Sequence, residues 1–151
     1  MLKNKIAFLV VLGAVAITAA VLGFSSVQKY KTIFLNGTAI RTELAVEAAA
    51  RARGLSGRES LGTEQGMLFV FGVAERYAFW MIDMRFPIDI IWLRLGKVVD
   101  IAEAVPAPEP GTDTTDLPRY WPRLPADMVL EVAAGTVRRT KLKIGDEVRG
   151  L

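Results

Sequence analysis

The sequence contains neither histidine nor cysteine. Their absence excludes disulfides, thiol nucleophiles, Ser-His-Asp triads and zinc sites built from nitrogen and sulfur ligands. Carboxylates, lysine, arginine, tyrosine and hydroxyl groups are the side chains that remain for chemistry. Hard cations can bind through oxygen ligands alone, but the segment with Asp113 and Asp116 lacks the closing glutamate of a calcium loop. No metal ion or other cofactor is therefore predicted.

Outside the N-terminal segment, the chain has almost equal numbers of basic and acidic residues. The formal net charge is +3, but Lys3 and Lys5 belong to the N-terminal segment, and the rest of the chain has 17 basic and 16 acidic residues. Nucleic-acid binding needs clustered lysine and arginine that displace counterions from phosphates. The glycine-rich residues 54–68 also lack the Lys-Ser or Lys-Thr pair of a phosphate-binding loop. No nucleic-acid partner is predicted.

The N-terminal segment holds the longest uncharged apolar run, from Ile6 to Phe24. About 19 residues with a rise of roughly 1.5 Å each would cross the ~30 Å hydrocarbon core of a bilayer. A cleaved signal peptide would have a shorter apolar region and a small-x-small site after it, and cleavage would leave a secreted or periplasmic domain. We expect residues 1–27 to be an uncleaved membrane anchor or, failing that, a signal segment, with one extracytoplasmic domain over residues 28–151. Lysines flank the run on both sides, so charge alone sets the orientation only weakly.

Three short apolar blocks dominate residues 66–93 and predict core strands over residues 67–71, 77–82 and 88–93. Glycine, proline or charged residues bound each block. The third block is apolar on both faces apart from Asp89, so we expect that strand to be covered on both sides.

Turn residues predict the other elements. Asn36-Gly37 supplies the two positive φ angles of a type I′ hairpin between residues 31–35 and 38–46, and residues 47–53 predict a short helix ending at Gly54. Further strands are predicted over residues 97–104, 128–133 and 147–149. The chain is thus predicted to be mostly β, a compact β-sandwich or barrel-like domain with one or two short helices, preceded by an N-terminal transmembrane helix.

The motifs GLSGRESL (54–61), GMLFVF (66–71), FWM (79–81), PIDII (87–91), VLEV (129–132) and GDEV (145–148) occur in this order. Together they resemble the domain of unknown function family 192 over residues 33–148. The resemblance implies a mostly-β domain, often exported or membrane-anchored, without an established activity or catalytic residues. Ser56 stands where the family pattern has methionine, and Ile82-Asp83-Met84 stands where it commonly has Lys-Asn-Thr, so a site built on that amide would be altered here.

Two carboxylates interrupt predicted core strands, Asp89 and Glu131. A buried carboxylate without a partner costs several kcal/mol or becomes protonated. One interpretation is a pair of buried ion pairs that tie the glycine-rich connection to the sheet, with partners among Arg53, Arg58 and Arg85. The other interpretation pairs Asp89 with Glu131 as acid and base of a hydrolase, since glycoside hydrolysis uses two carboxyl groups.

Five aromatic side chains suggest a sugar-binding platform, because exposed rings in a concave site suit ring stacking; they are Tyr77, Trp80, Trp92, Tyr120 and Trp121. Strand positions favour Trp80 and Trp92 as core residues instead. Tyr120 and Trp121 lie in residues 105–125, a long segment with six of the seven prolines that can fold its aromatics back onto the sheet.

The function predicted from the sequence is a membrane-anchored, non-catalytic ligand-binding or accessory module of the cell envelope, whose ligand is a glycan, a peptide or an envelope protein. Its candidate ligand-binding residues are Arg58, Trp80, Asp89, Tyr120 and Glu131. The alternatives are a carboxylate-dependent hydrolase of envelope glycans and a structural partner of another envelope protein. An open polar cleft that joins Arg58, Asp89 and Glu131 would favour a site, whereas a flat apolar patch would favour a structural partner.

Overall fold

The computed structural model describes residues 29–151, and the predicted membrane span from Ile6 to Phe24 lies outside them. These residues form six strands and two short helices. In chain order the elements are β1 (Tyr30–Leu35), β2 (Thr38–Ala45), α1 (Ala48–Arg53), β3 (Gln65–Glu75), β4 (Ile88–Arg94), β5 (Lys97–Val105), β6 (Ala126–Ala133) and α2 (Thr136–Thr140). Within residues 29–151, no helix has both the length and the apolarity required to cross a membrane.

All six strands belong to one mixed sheet with the order β1-β2-β3-β6-β4-β5. The β1–β2 hairpin forms as predicted, with positive φ at Asn36 and Gly37. β2 and β3 pair in parallel through the crossover that contains α1, and every other pairing is antiparallel. Gly66 permits close pairing of β3 with β6, because a Cβ there would lie 2.7 Å from the Glu131 carbonyl oxygen.

The mostly-β prediction is confirmed, but the sandwich or barrel is wrong. One open sheet forms because the connection from β2 to β3 crosses over and returns in parallel, which places β3 beside β2 in the same sheet instead of starting a second one. The block at residues 77–82 is not a strand either. It makes one isolated bridge, between Phe79 and Tyr120, and residues 147–149 likewise make isolated bridges only.

A separate apolar core covers each face of the sheet, as expected for the fully apolar β4. We call the face that carries α2 the helix face; its core includes Ile91, Leu130 and Val137. We call the other the cleft face; its core includes Phe69, Ile90 and Trp92 and is covered by α1 and the connections around residues 54–63 and 76–87. Burial of both faces accounts for the unbroken apolar pattern of β4.

α1 begins after Glu47 and ends at Gly54, close to the predicted bounds. Gly54 has the predicted positive φ of 53°, but its ψ of −136° lies outside the left-handed helical region, so the cap is not of the predicted type. The prediction of one or two short helices is confirmed by α1 and α2.

Candidate binding cleft

The strand register places Asp89 and Glu131 on opposite faces of the sheet. Asp89 pairs with Val132, which belongs to the helix-face core, whereas Glu131 pairs with Ile90, which belongs to the cleft-face core. Successive side chains of a strand alternate between faces. The predicted acid and base pair of Asp89 and Glu131 therefore does not form, because the sheet itself separates the two carboxylates.

Asp89 is fully buried, and its two carboxylate oxygens accept backbone hydrogen bonds. Oδ1 accepts from Ala104 N and Oδ2 from Val137 N, each at 2.8 Å. The predicted arginine partner is thus replaced by two main-chain donors, one from β5 and one from the first turn of α2. Asp89 joins these two elements to β4 and is closed off from solvent, which is a structural role.

Glu131 is also buried, with 5% of its surface exposed, but its partners differ entirely. Its neighbours across the sheet are Met67 and Ile90, which offer no side-chain donor. Oε2 is buried without a hydrogen-bond partner. Burial raises the pKa of Glu131 to about 8 against a small opposing effect of the Arg58 charge. The carboxyl group is therefore mostly protonated at neutral pH.

Arg58 pairs with Glu43 at 2.8 Å and not with either predicted carboxylate. Lys29 contacts the same glutamate at 3.3 Å. Burial would raise the pKa of Glu43, but the hydrogen bonds from Arg58 and Lys29 outweigh it and hold the pKa below its ordinary value. The glycine-rich connection is thus tied to β2 by an ion pair, although the acid is Glu43 and not Asp89 or Glu131. The other predicted partner, Arg85, contacts only the exposed Glu59, at 3.8 Å.

A cleft of about 260 Å³ opens on the cleft face with Glu131 in its lining. Aromatic side chains supply most of its wall, and α1 with the following turn supplies the rest. Its lining includes Arg51, Ser56, Phe71, Tyr77, Trp80 and Glu131. Glu131 is the only acidic residue among those that line the cleft.

The aromatic walls are held by ring contacts. Phe71 stacks on Tyr77 with ring centroids 3.7 Å apart, and Phe79 meets Phe69 edge to face at 4.9 Å. Phe79 also meets Trp92 edge to face at 6.3 Å. Such pairs add stability beyond the area that they bury. The walls are thus fixed by contacts within the protein before any ligand is present.

Strand positions favoured both Trp80 and Trp92 as core residues, but the structure buries only Trp92. Trp92 is buried and donates its Nε1–H to Tyr77 O at 3.0 Å. Trp80 is 41% exposed and lies in the cleft lining, with the Arg119 guanidinium 4.3 Å above its ring. Tyr120 is half-buried behind the wall, where its backbone pairs with Phe79.

The structure thus brings two of the five candidate ligand-binding residues, Trp80 and Glu131, into one cleft. Arg58 lies in a smaller neighbouring depression that Glu43 also lines. Tyr120 supports the cleft wall from behind, and Asp89 lies on the other face. Within residues 29–151, no three acidic side chains gather in a cluster that could hold a metal ion.

A model of the family DUF192, described as an uncharacterized ACR, matches residues 31–150. The chain belongs to the DUF192 family. The resemblance carried by the ordered motifs is thereby confirmed. Three of those motifs contribute residues to the cleft of this DUF192 domain. GMLFVF contributes Phe69 and Phe71, FWM contributes Trp80, and VLEV contributes Glu131.

Two solved structures resemble this DUF192 domain. A protein from Sinorhizobium meliloti 1021, proposed to be a transcription regulator, is 32% identical with a TM-score of 0.66, and the match covers 80% of this chain and 91% of that one. A protein of unknown function from Novosphingobium aromaticivorans DSM 12444 is 32% identical with a TM-score of 0.68, and the match covers 80% of this chain and 83% of that one. No curated protein matches the chain.

Sequence reasoning included Tyr77 among the aromatic residues of a platform but missed other residues of the cleft in this DUF192 domain, notably Arg51 and Phe71. The alternation along β3 could have found Phe71, because it stands two and four positions after Phe69 and Met67 on the face that Glu131 shares. Tyr77 lies in a block that resembled a strand and is in fact a connection. Arg51 belongs to a helix whose docking site the sequence pattern does not specify.

Proposed function

We propose that the protein is a non-catalytic binding module of the cell envelope, and that the cleft holds one ring or apolar side group of its ligand. One observation carries this proposal: a buried carboxyl oxygen without a hydrogen-bond partner belongs to a residue that lines an open aromatic cleft. Unpaired buried polar groups cost free energy and are rare in native proteins. A ligand that hydrogen-bonds Glu131 would remove that cost.

The size of the cleft supports a small ligand group. A volume of about 260 Å³ lies just below the range of roughly 300–1,000 Å³ typical of sites for whole drug-sized molecules. The cleft therefore suits one ring of a ligand, whose remainder would stay outside. Small-molecule sites usually combine mostly apolar walls with a few polar groups, and the lining of this cleft has that composition.

The location outside the cytoplasm is part of the proposal. It is supported by the uncharged run from Ile6 to Phe24, which four residues separate from the first described residue, Lys29. The test is alkaline extraction of membranes from cells that produce the full chain, followed by protease treatment of spheroplasts. Retention in the membrane with digestion of the domain is expected; release by alkali or protection from protease would contradict the proposal.

Hydrolysis is a second candidate, favoured by one observation. The raised pKa of Glu131 is of the kind that general acids show. Hydrolysis by a carboxyl pair would also need a second carboxyl group about 5 to 9.5 Å away, and the lining of the cleft contains Glu131 alone. Turnover of envelope glycans that Glu131→Gln abolishes would establish the hydrolase and displace the binding module.

The binding proposal is tested with the full chain in detergent and two neutral ring probes, p-cresol and methyl glucoside. A probe at 100 times its dissociation constant should raise the free energy of unfolding by about 2.7 kcal/mol, measured by thermal shift. Ala52→Phe places a large side chain in the cleft from an exposed position on α1. Ala49→Phe, on the same helix outside the lining, is its control.

We expect the shift from at least one probe to disappear in Ala52→Phe and to persist in Ala49→Phe. No shift with either probe, or equal loss in both variants, would contradict binding in the cleft. The third possibility, docking of an envelope protein, would then be examined at the exposed side chains of Trp121 and Leu124.

A further inference from the structure

The inner end of the cleft presents a hydrogen-bond donor. Glu131 lies between Met67 and Ile90, and burial keeps its carboxyl group protonated at neutral pH. A protonated carboxyl donates its O–H. The ligand atom that reaches Glu131 should therefore be an acceptor, such as a hydroxyl or carbonyl oxygen.

The mouth of the cleft is bordered by positive charge. Arg51 lies in the lining, with its guanidinium 5.3 Å from the ring centroid of Phe71 and one nitrogen bonded to Val70 O at 2.9 Å. Arg119 lies over the exposed Trp80. Because Glu131 is the only acid in the lining and is mostly protonated at neutral pH, these two cations favour a positive local potential, which Glu75 near Tyr77 offsets in part. A negative outer group on the ligand is favoured over a positive one.

Other charged groups near Glu131 do not reverse this sign. On the glycine-rich connection, Arg58 adds a further positive charge that acts weakly on Glu131, and it is paired with Glu43 of β2. β3 and β4 contribute the uncharged Met67 and Ile90 to either side of Glu131. Tyr77, which also lines the cleft, donates its hydroxyl to Val73 O at 3.0 Å. Burial raises its pKa above its ordinary value, the negative charge of Glu75 raises it further, and Arg51 lowers it. Arg51 and Arg119 thus outnumber Glu75 at the mouth.

The walls favour an aromatic ring over a sugar. Phe71, Tyr77 and Trp80 provide apolar surface, whereas the hydroxyl of Ser56 already donates to Ile82 O at 2.8 Å. A sugar ring would bring several hydroxyl groups into a cleft with few free partners, and each unsatisfied group costs free energy. A ring with one inner acceptor matches the single inner donor.

We infer that the cleft selects an aromatic acid: a ring with a hydrogen-bond acceptor at its inner end, directed to Glu131, and a negative charge at its outer end, near Arg51 and Arg119. This inference rests on the proposed function, because it specifies the ligand class of the same cleft. It adds a direction of binding and a sign of charge, and both can be measured.

The test compares three probes that share a ring and a hydroxyl group but differ in charge. They are 4-hydroxyphenylacetate (negative), p-cresol (neutral) and tyramine (positive), titrated into the full chain in detergent by calorimetry at pH 7. We expect 4-hydroxyphenylacetate to bind about tenfold more tightly than tyramine, with p-cresol between them. High salt should reduce this preference, because the mouth is open to solvent.

Variants separate the two ends of the ligand. Arg51→Gln should reduce the preference for the acidic probe, while Arg51→Lys, which keeps the charge, should retain most of it. The inner end is tested with 4-methylacetophenone, whose carbonyl oxygen only accepts hydrogen bonds. Glu131→Gln keeps a donor at the inner end, so its affinity for this ketone should be independent of pH. Wild-type affinity for the ketone should fall as the pH rises through about 8, because the ionised carboxylate has no O–H to donate.

Each outcome decides the inference. Equal binding of the two charged probes, tighter binding of tyramine, or tighter binding of methyl glucoside than of p-cresol would overturn it. If p-cresol nevertheless binds and Ala52→Phe abolishes that binding, the proposed function stands. If no probe binds, both the inference and the proposed function are overturned.

Discussion

Asp89 and Glu131 are carboxylates of adjacent strands in one sheet, buried to nearly the same degree. On the helix face, Asp89 accepts one backbone hydrogen bond at each oxygen and is closed off from solvent. On the cleft face, Glu131 has an oxygen without a partner beside an open cleft. Equal burial thus accompanies opposite roles. The partners of a buried charge, and not its depth, separate a structural group from a candidate site.

The largest expected effect is on the helix face. Asp89→Ala leaves Ala104 N and Val137 N without an acceptor inside the core and should lower the free energy of unfolding by about 3–5 kcal/mol, since each unsatisfied group costs about 1–3 kcal/mol. Urea denaturation measures the loss. Asp113→Ala is the matched control: Asp113 also accepts a backbone N–H, from Thr115, but it is exposed, and its removal should cost about 1 kcal/mol or less. Equal losses in the two variants would remove the structural role given to Asp89.

The second effect has the opposite sign. The pKa of Glu131 is raised from 4.5 to about 8, so the folded state binds a proton more tightly than the unfolded state does. Its contribution to stability is fully present below about pH 4.5 and is lost as the pH rises through about 8. Since one pKa unit corresponds to about 1.4 kcal/mol, a rise from 4.5 to about 8 should make Glu131→Gln at pH 9 more stable than the wild type by up to about 5 kcal/mol.

Denaturation of wild type and Glu131→Gln from pH 5 to pH 9 measures this effect, with the exposed Glu103→Gln as control. The difference between Glu131→Gln and the wild type should grow with pH, while Glu103→Gln should stay parallel to the wild type. A constant difference for Glu131→Gln would mean that the carboxylate is already ionised and stabilised in the folded protein.

The two faces were not equally predictable from sequence. Asn36-Gly37 fixes a hairpin locally, and the apolar runs of β3, β4 and β6 identify core strands without knowledge of their partners. The parallel pairing of β2 with β3 depends on a crossover that no local pattern specifies. Opposite placement of Asp89 and Glu131 follows from the register of β4 with β6, which is a long-range property. Residues 77–82 have the composition of a strand, yet they pack over the cleft face of the sheet as a connection.

Asp100 is a third buried carboxylate that can be compared with Asp89 and Glu131. Asp100 is buried like Glu131, but it accepts hydrogen bonds from Ile101 N and from the backbone and guanidinium of Arg123. Burial would raise its pKa, but these bonds outweigh burial and hold the pKa below the ordinary value of 3.8. Its contribution to stability is present above about pH 3.8 and is lost as the pH falls through the folded pKa.

Asp100→Asn should therefore cost about 1–3 kcal/mol at pH 7, measured by urea denaturation, and much less at pH 3. Arg123→Lys keeps the charge and the backbone donor and should cost less than Asp100→Asn at pH 7. Glu131→Gln and Asp100→Asn thus both differ most from the wild type at high pH, but with opposite signs: Glu131→Gln is more stable than the wild type and Asp100→Asn is less stable. If Asp100→Asn lowers the free energy of unfolding equally at pH 7 and pH 3, the charge of Asp100 does not account for its contribution to stability.

The smallest effect is expected for Arg58, which is half-exposed and is not part of the cleft lining. Arg58→Ala should lower the free energy of unfolding by about 1 kcal/mol or less, because exposed ion pairs contribute little. Lys29→Ala, which removes the other cation at Glu43, is the control and should cost less still. A loss above about 2 kcal/mol for Arg58→Ala would mean that its effect on the buried Glu131 had been underestimated.

The proposed binding cleft depends on Glu131 being a buried carboxyl group that is unpaired and protonated at neutral pH. Carbon-13 NMR of side-chain-labelled glutamate, with Glu131→Gln to assign the resonance, measures its pKa directly. We predict a titration midpoint near 8, which shifts upward in the presence of 4-methylacetophenone because its carbonyl oxygen accepts a hydrogen bond from the protonated carboxyl group only. A midpoint near the ordinary 4.5, unchanged by the ketone, would contradict the account.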